Sequence, residues 1–161
     1  MGHYKLDMGE EPEEPYTLIA IHCSEEAYKV AYLMNQHLNT RFKRRRVDID
    51  FPSEGMMVTF PIFDFMDEFN YSQYYLVANK CSIAEAGLQS SGGLFSEIGS
   101  EKDHFLLPEL KKVDYLLKIY SDFETVPLQS LISQINNIDQ IVSAYVVETA
   151  NIKSKNNLIF D

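Results

Sequence analysis

The residue best suited to act as a nucleophile is Cys23, which lies between an apolar run and a segment with helical spacing. A thiol at the amino-terminal end of a helix can have a lowered pKa, which favours the reactive thiolate. Catalysis also requires a base and oxyanion donors, and the adjacent His22 would point to the opposite face of a strand. Because free cysteine is among the most buried residue types, we expect a structural cysteine and no enzyme.

The densest cluster of charge lies in Arg41–Arg46, where five basic residues occupy six positions of a chain with net charge −10. We call these residues the basic cluster: Arg41, Lys43, Arg44, Arg45 and Arg46. One interpretation is contact with RNA, a nucleotide or an acidic protein segment. The other is a solvated helix end, where cations suit the helix dipole and can pair with Asp48 and Asp50. The solvated end is favoured over nucleic acid because single-stranded binding usually adds stacking aromatics, and a protein-interaction role stays open.

Three further motifs contain residue types that hold metals or phosphates. Asp64, Asp67 and Glu68 form an acidic turn, but they lack the alternating ligands and the closing glutamate of an EF-hand. The segment 90–93, Ser-Ser-Gly-Gly, could hold an anion through backbone amides, yet it lacks the Lys-Ser/Thr of a P-loop. The Asp-His dipeptide at 103–104 has no visible third partner. We therefore expect no metal site, no cofactor and no catalytic residues.

A nine-residue stretch, Leu107–Tyr115, contains the pattern Leu-Pro-Glu-Leu-Lys-Lys-Val-Asp-Tyr. It resembles the signature of the bacterial IPExxxVDY family, whose function is uncharacterised. The residues that carry the resemblance are Leu107 (in place of Ile), Pro108, Glu109, Val113, Asp114 and Tyr115. The resemblance extends through 17–24, 41–46 and 153–160, and it implies a family without implying an activity. We call Leu107–Tyr115 the signature stretch.

The signature stretch also has a direct physical interpretation as a boundary between elements. Pro108 fixes its own φ and pushes the preceding residue toward extended backbone, so a helix is not expected to run through it. From Val113 onward, apolar residues alternate as in a strand with one apolar face. The carboxylates of Glu109 and Asp114 could bond loop or cap amides, or serve a site. Carboxylates near a strand start usually bond amides, so we expect a structural role.

Length and composition predict one globular domain. The chain has 161 residues, of which 45% are hydrophobic and 12% aromatic, so we expect an acidic lead-in at 1–15 and a single domain at 16–161. The net charge of −10 excludes non-specific binding to duplex DNA, which requires a positive surface. Cys23 and Cys81 form no metal motif, no run is long enough to span a membrane, and the acidic start is unlike a signal peptide. We therefore expect a cytoplasmic protein.

Hydrophobic periodicity predicts six strands and two helices. The predicted strands are 16–22, 47–51, 57–65, 73–79, 113–120 and 141–147. The first is apolar on both faces, which is typical of a central strand covered on both sides, or of one covered by a helix and by a partner subunit. Pro61 interrupts the third, which is typical of a sheet edge or a bulge. Residues 80–106 show little periodicity, and a loop of that length either is functional or contains short elements.

The first predicted helix uses Ser24 as its N-cap, has Glu25 and Glu26 in its first turn, and ends in the basic cluster. The second begins at Pro127. The apolar residues Leu158–Phe160 are expected to dock on the body of the protein or on a second subunit.

These elements predict an α+β fold with a mixed, mainly antiparallel sheet, helices on one face and strand–helix–strand (βαβ) units at both ends. Ferredoxin-like or ACT-like arrangements follow this logic, although a fold analogy does not carry function. We expect an interaction module that binds a protein partner. Two alternatives stay open: a regulatory, ACT-like domain that binds a small ligand, and an RNA- or ribosome-associated factor that uses the basic cluster. A homodimer also stays open.

Overall fold

The computed structural model describes residues 15–53, 55–84, 101–121 and 127–160. Most of the acidic lead-in and the segment 90–93 therefore lie outside the described residues. In chain order, the strands and helices of the described part are β1 (Thr17–Cys23), α1 (Ala27–His37), β2 (Lys43–Arg44), β3 (Ile49–Ser53), β4 (Met56–Phe60), β5 (Ile62–Asp67), β6 (Ser72–Ala78), β7 (Lys80–Ala84), β8 (Glu101–Phe105), β9 (Tyr115–Ser121), α2 (Leu128–Asn136) and β10 (Ile141–Val147).

Six of these strands form one sheet in the order β10-β1-β9-β6-β5-β2, and every neighbouring pair is antiparallel. The α+β fold with a mainly antiparallel sheet is thus confirmed. Strands β9 and β10 run parallel to each other on either side of β1, and α2 connects them. Helix α1 connects β1 to β2 at the far edge of the sheet. The C-terminal strand–helix–strand unit is present. The N-terminal unit differs from the prediction, because the strand after α1 in the main sheet is β2, whereas the strand predicted at 47–51 forms β3 in a separate hairpin. A ferredoxin-like or ACT-like arrangement stays a prediction.

The predicted strand at 57–65 is two strands that belong to different sheets. Pro61 separates β4, which pairs with β3 in a two-stranded sheet, from β5 in the main sheet. Proline has no backbone N–H and a fixed φ, so it cannot continue a strand ladder and the chain changes direction there. In the stretch at 80–106 that lacked periodicity, β7 and β8 form a further antiparallel pair. These are short elements of the kind that sequence periodicity does not reveal.

The predicted boundaries of the first helix are wrong at both ends. Helix α1 begins at Ala27 after Glu26, whose side chain makes no capping hydrogen bond, so Ser24 is not the N-cap. It ends at His37, before the basic cluster, and two residues of that cluster form β2. The argument from the helix dipole therefore does not apply to these cations. The second helix begins at Leu128, directly after Pro127.

The main sheet has an apolar core on each face. Ile19 and Ile21 of β1 pack in the core that contains α1 and α2, so the prediction of helices on one face is confirmed. Leu18 and Ala20 pack in a second core that contains the β3–β4 hairpin and the C-terminal segment. This confirms the prediction that β1 is covered on both sides.

The C-terminal segment docks on the body of the protein, which is one of the two predicted outcomes. Leu158 and Phe160 are buried in the second core, while Ile159 is exposed. Lys118 is also buried there, and its Nζ donates a hydrogen bond of 2.6 Å to the carbonyl oxygen of Leu158. The same Nζ lies 5.2 Å from the ring centroid of Phe160, at a distance that permits a cation–π contact.

Candidate functional site

The turn after α1 is organised by the side chain of Asn35. Its Oδ1 accepts hydrogen bonds from the backbone N–H of Phe42 (2.8 Å) and from Oγ1 of Thr40 (2.9 Å). Its Nδ2 donates to the backbone carbonyl of Phe42 (3.1 Å). The Phe42 ring is buried, with its centroid 5.9 Å from that of Phe65. Both backbone groups of Phe42 are thus bonded to Asn35, which holds the chain just before β2 begins.

Strand β2 covers only part of its neighbour in the sheet, β5. It pairs with β5 at two positions, Lys43 with Asp64 and Arg44 with Phe63. In the described part of the chain, the second half of β5 has no strand on that side. An open groove of about 880 Å³ lies between the turn after α1 and the second half of β5 with the turn that follows it. One wall is formed by Asn35, Asn39, Thr40, Arg41 and Lys43, and the other by Asp64, Phe65, Met66, Asp67, Glu68 and Phe69.

The structure divides the basic cluster. Arg44 forms a bidentate ion pair with Asp48, in which Nε lies 3.1 Å from Oδ1 and Nη2 lies 2.5 Å from Oδ2. Nη1 of Arg45 donates to the carbonyl oxygen of Phe160 at 2.6 Å, and its Nε lies 3.8 Å from a carboxylate oxygen of Asp64. Both arginines are thus engaged within the protein.

The other members of the basic cluster are exposed. Arg41 and Lys43 line the groove, whereas Arg46 does not. Arg41 and Lys43 have no carboxylate within 4 Å in the described ranges of the chain. They are therefore the two cations of the cluster that a bound partner can reach inside the groove.

The turn between β5 and β6, which we call the hairpin tip (residues 67–72), presents an aromatic side chain to solvent. Oδ1 of Asp67 accepts from the backbone N–H groups of Phe69 (3.0 Å) and Asn70 (3.3 Å), and Oδ2 lies 2.8 Å from Nδ2 of Asn70. The φ of Tyr71 is 51°, in the left-handed region that turns use. Phe69 is 91% exposed at the mouth of the groove. Asp67 thus serves the turn.

Cys23 lies in a setting that disfavours the thiolate. Its side chain is buried, and its Sγ donates a hydrogen bond of 3.3 Å to the backbone carbonyl of Gln140. Burial raises the pKa of the Cys23 thiol, which is opposite to the lowered pKa that a nucleophile requires. His22 lies on the other face of β1, where its Nε2 is 2.9 Å from the hydroxyl of Tyr145. The structure does not bring the two side chains together.

Two residues of the signature stretch fasten the start of β9 to the segment that links β1 and α1. Oδ2 of Asp114 accepts from the backbone N–H of Cys23 at 2.8 Å, and Oδ1 lies 3.2 Å from Nζ of Lys80. The hydroxyl of Tyr115 donates to the backbone carbonyl of Glu25 at 2.6 Å. Burial, followed by nearby negative charge, raises the pKa of Tyr115, so its hydroxyl keeps the proton that it donates.

Glu109 fastens the C-terminal segment to the signature stretch. Its Oε2 accepts from the backbone N–H groups of Lys153 (2.7 Å) and Ser154 (2.8 Å). Although desolvation opposes ionisation, these hydrogen bonds together lower the pKa of Glu109. Pro108 begins a 3-10 turn, and Leu107 and Val113 are buried in the second core. Both signature carboxylates accept bonds from backbone amides, as the structural interpretation predicts.

Sequence reasoning did not identify six residues of the groove as candidates: Asn35, Asn39, Thr40, Phe65, Met66 and Phe69. Met66 lies near the end of β5 and Phe69 in the turn that follows, where the sequence shows no simple periodicity. A signal was available at the hairpin tip, because Asp67 and Asn70 are residues that commonly bond the backbone of turns. Asn35 lies on a helix, where a single asparagine carries no such signal.

Comparisons with known proteins leave the signature resemblance as a prediction. No model of a known family, no curated protein and no solved structure matches the chain. Among the residues that the structure describes, no helix is long and apolar enough to cross a membrane. In that same part of the chain, no group of three or more histidine, cysteine or acidic residues could hold a metal ion.

Proposed function

We propose that the chain is a protein-binding module whose docking surface consists of the groove and the hairpin tip. The observation that carries this proposal is Phe69, which is 91% exposed on a turn whose backbone is held by Asp67. Burying such a side chain in a partner contributes about 1.5–3 kcal/mol of transfer free energy. Because the turn is already ordered, less conformational entropy is lost on binding. Protein interfaces are enriched in aromatic residues and arginine, and Phe69 and Arg41 line the same groove.

The charges of the groove favour a protein over RNA. Arg41 and Lys43 share the groove with Asp64, Asp67 and Glu68. These carboxylates repel a phosphate backbone, and two other members of the basic cluster are engaged within the protein. A small ligand is the weaker alternative, since ligand pockets are concave and predominantly apolar, whereas this groove is open and lined mainly by polar side chains. We place this activity in the cytoplasm, consistent with the two free cysteines.

The proposal is tested by affinity capture from an extract of the native host. The bait is the full chain, in parallel with the variants Phe69→Ala and Arg41→Ser/Lys43→Ser. The matched control is Tyr28→Ala, which removes an aromatic ring that is 64% exposed on α1 and does not line the groove. We expect a partner that binds the wild type and the control, and that both groove variants lose.

Two results would contradict the proposal. One is capture of the same partner by all four baits, because the docking surface would then make no contribution. The other is co-purified nucleic acid, which a high ratio of absorbance at 260 and 280 nm would reveal. The chain has no tryptophan and absorbs weakly, so bound nucleic acid would dominate the spectrum.

A further inference from the structure

We infer that the docking surface binds an extended segment of the partner by adding it as a strand to the uncovered half of β5. This inference rests on the proposed function and specifies the form and the charge of what binds. Addition of a strand to an exposed sheet edge is a recurring mode of peptide recognition, in which main-chain hydrogen bonds supply affinity. The second half of β5 is suitable because β2, the edge strand, pairs with β5 at only two positions.

The direction of the β5 backbone supports strand addition. The carbonyl of Ile62 accepts a hydrogen bond of 3.0 Å from the N–H of Arg45, so the backbone groups of Ile62 point toward the β2 side. Backbone groups of alternate residues in a strand point the same way. Those of Met66 therefore face the groove, and β2 would reach Met66 with Arg41 if the chain continued straight. Strand β2 begins only at Lys43, however, so within the described residues no strand pairs with Met66 on this side.

The charges of the two walls define the chemistry of the segment. Arg41 and Lys43 lie on the wall that contains the turn after α1, and Asp64 and Glu68 lie on the wall formed by β5 and its turn. In the described residues, neither Arg41 nor Lys43 lies within 4 Å of these carboxylates. Asp64 is already paired with Arg45 at 3.8 Å, so Glu68 is the carboxylate of this pair that has no ion pair in the described part of the chain. A segment with an acidic and a basic side chain complements both walls, and such complementarity sets register and orientation.

Phe69 adds an apolar contact at the mouth of the groove. The partner segment is therefore extended, carries one carboxylate and one cation close together, and has β-branched or aromatic residues between or beside them. A site for nucleic acid would be basic and would lack the acidic wall. A groove that binds an amphipathic helix would be apolar and would lack both charged walls.

The test uses the full chain, labelled with ¹⁵N, and a blocked peptide, acetyl-Thr-Glu-Val-Lys-Val-Thr-amide. The expected result is that hydrogen exchange of the Met66 amide slows about tenfold at saturation, because that N–H becomes hydrogen-bonded. The amide of Val146, on the edge strand at the other side of the sheet, serves as internal control and should not change. Arg41→Ser should weaken peptide binding about fivefold, which corresponds to the loss of one charged contact.

A second peptide, with proline in place of the first valine, separates strand addition from other binding. Proline removes a backbone donor and disfavours pairing, so its affinity should be at least about tenfold lower. Equal binding of both peptides, with an unchanged Met66 amide, would overturn strand addition and leave the proposed docking surface in place. Unchanged signals throughout 64–69 with the first peptide would also overturn it. Loss of partner capture by Phe69→Ala would support the proposed function in either case.

Discussion

The two edges of the main sheet are each bonded by the side chain of an asparagine from the end of a helix. At the β2 edge, Asn35 of α1 bonds both the N–H and the carbonyl of Phe42. At the β10 edge, Oδ1 of Asn136, the last residue of α2, accepts from the N–H of Ala144 at 2.8 Å, and its Nδ2 donates to the Ala144 carbonyl at 3.0 Å. The side-chain amide presents a donor and an acceptor together, so it imitates one residue of a neighbouring strand.

The two edges differ in how far the edge strand extends. At the β2 edge, β2 pairs with β5 at only two positions, and the half of β5 that lines the groove has no strand beside it in the described residues. Asn136 occupies the middle of β10 and blocks that edge, although Val142, Tyr145 and Val146 remain exposed there. An open edge with apolar side chains invites association with another chain. The comparison shows that a side-chain amide can protect an edge whose strand is long, whereas a short edge strand leaves its neighbour accessible.

The largest expected effect comes from Asn35→Ala. This variant removes three hydrogen bonds and leaves the partly buried N–H and carbonyl of Phe42 without their partner. Each unsatisfied buried group costs about 1–3 kcal/mol, so we expect unfolding in urea to lose about 3 kcal/mol. The matched control is Gln36→Ala, at an exposed position of the same helix, which should change stability by less than about 0.5 kcal/mol. A loss as small as that of the control would show that Asn35 does not hold the turn.

A smaller effect is expected for Asn136→Ala, because the side chain is exposed and water can replace part of its bonding. We expect a loss of about 1–2 kcal/mol. We also expect a higher apparent mass in sedimentation equilibrium, since the middle of β10 becomes free to pair with a second chain. Ser133→Ala, at an exposed position of α2, is the control.

Sedimentation of the wild type also tests the homodimer that the sequence left open. A wild-type dimer that dissociates when Val142 is changed to Asp would show that β10 is an interface rather than a protected edge. A wild-type monomer, together with an Asn136→Ala variant that associates, would support the protective role.

Much of this fold was accessible from the sequence because most of its strands carry a complete hydrophobic pattern. The apolar residues of β1 on both faces predict a covered central strand, and the alternation from Val113 onward predicts β9. The prediction failed where one bond across several residues decides the path of the chain. Helix α1 ends at His37, the side chain of Asn35 bonds the chain at Phe42, and Lys43 and Arg44 form a strand instead of the end of the helix. The hydrophobic periodicity of the sequence does not reveal a hydrogen bond of this kind.

The candidate site was accessible only in part. The charge pattern identified Arg41 and Lys43 as candidate interaction residues, and both line the groove. It could not separate them from Arg44 and Arg45. The sequence indicated Asp48 as a partner for the cluster without showing which arginine it pairs with, and the Phe160 carbonyl becomes a neighbour of Arg45 only through folding. The role of all these residues in binding stays a prediction.

Within the β2 edge, the two engaged arginines should differ in their contribution to stability. Arg45 bonds the backbone of Phe160 from a partly buried position, whereas Arg44 pairs with Asp48 at the surface. A hydrogen bond to a charged group contributes about 1.5–3 kcal/mol when partly shielded, so Arg45→Ala should cost about 1 kcal/mol after solvent screening. Arg44→Ala should cost no more than about 0.5 kcal/mol, as exposed ion pairs do. Urea denaturation of both variants measures the difference, and equal losses would contradict it.

The smallest expected effect on stability is that of Phe69→Ala, although it has the largest expected effect on partner binding. A side chain that is 91% exposed makes little contact with its own protein, so the variant should unfold within about 0.5 kcal/mol of the wild type. Asp67→Ala should destabilise more, because it removes the acceptor for the N–H groups of Phe69 and Asn70. It should also weaken binding by loosening the turn. If Phe69→Ala were the more destabilising of the two, Phe69 would belong to the packing of the domain, and the β2 edge would lose its aromatic contact for a partner.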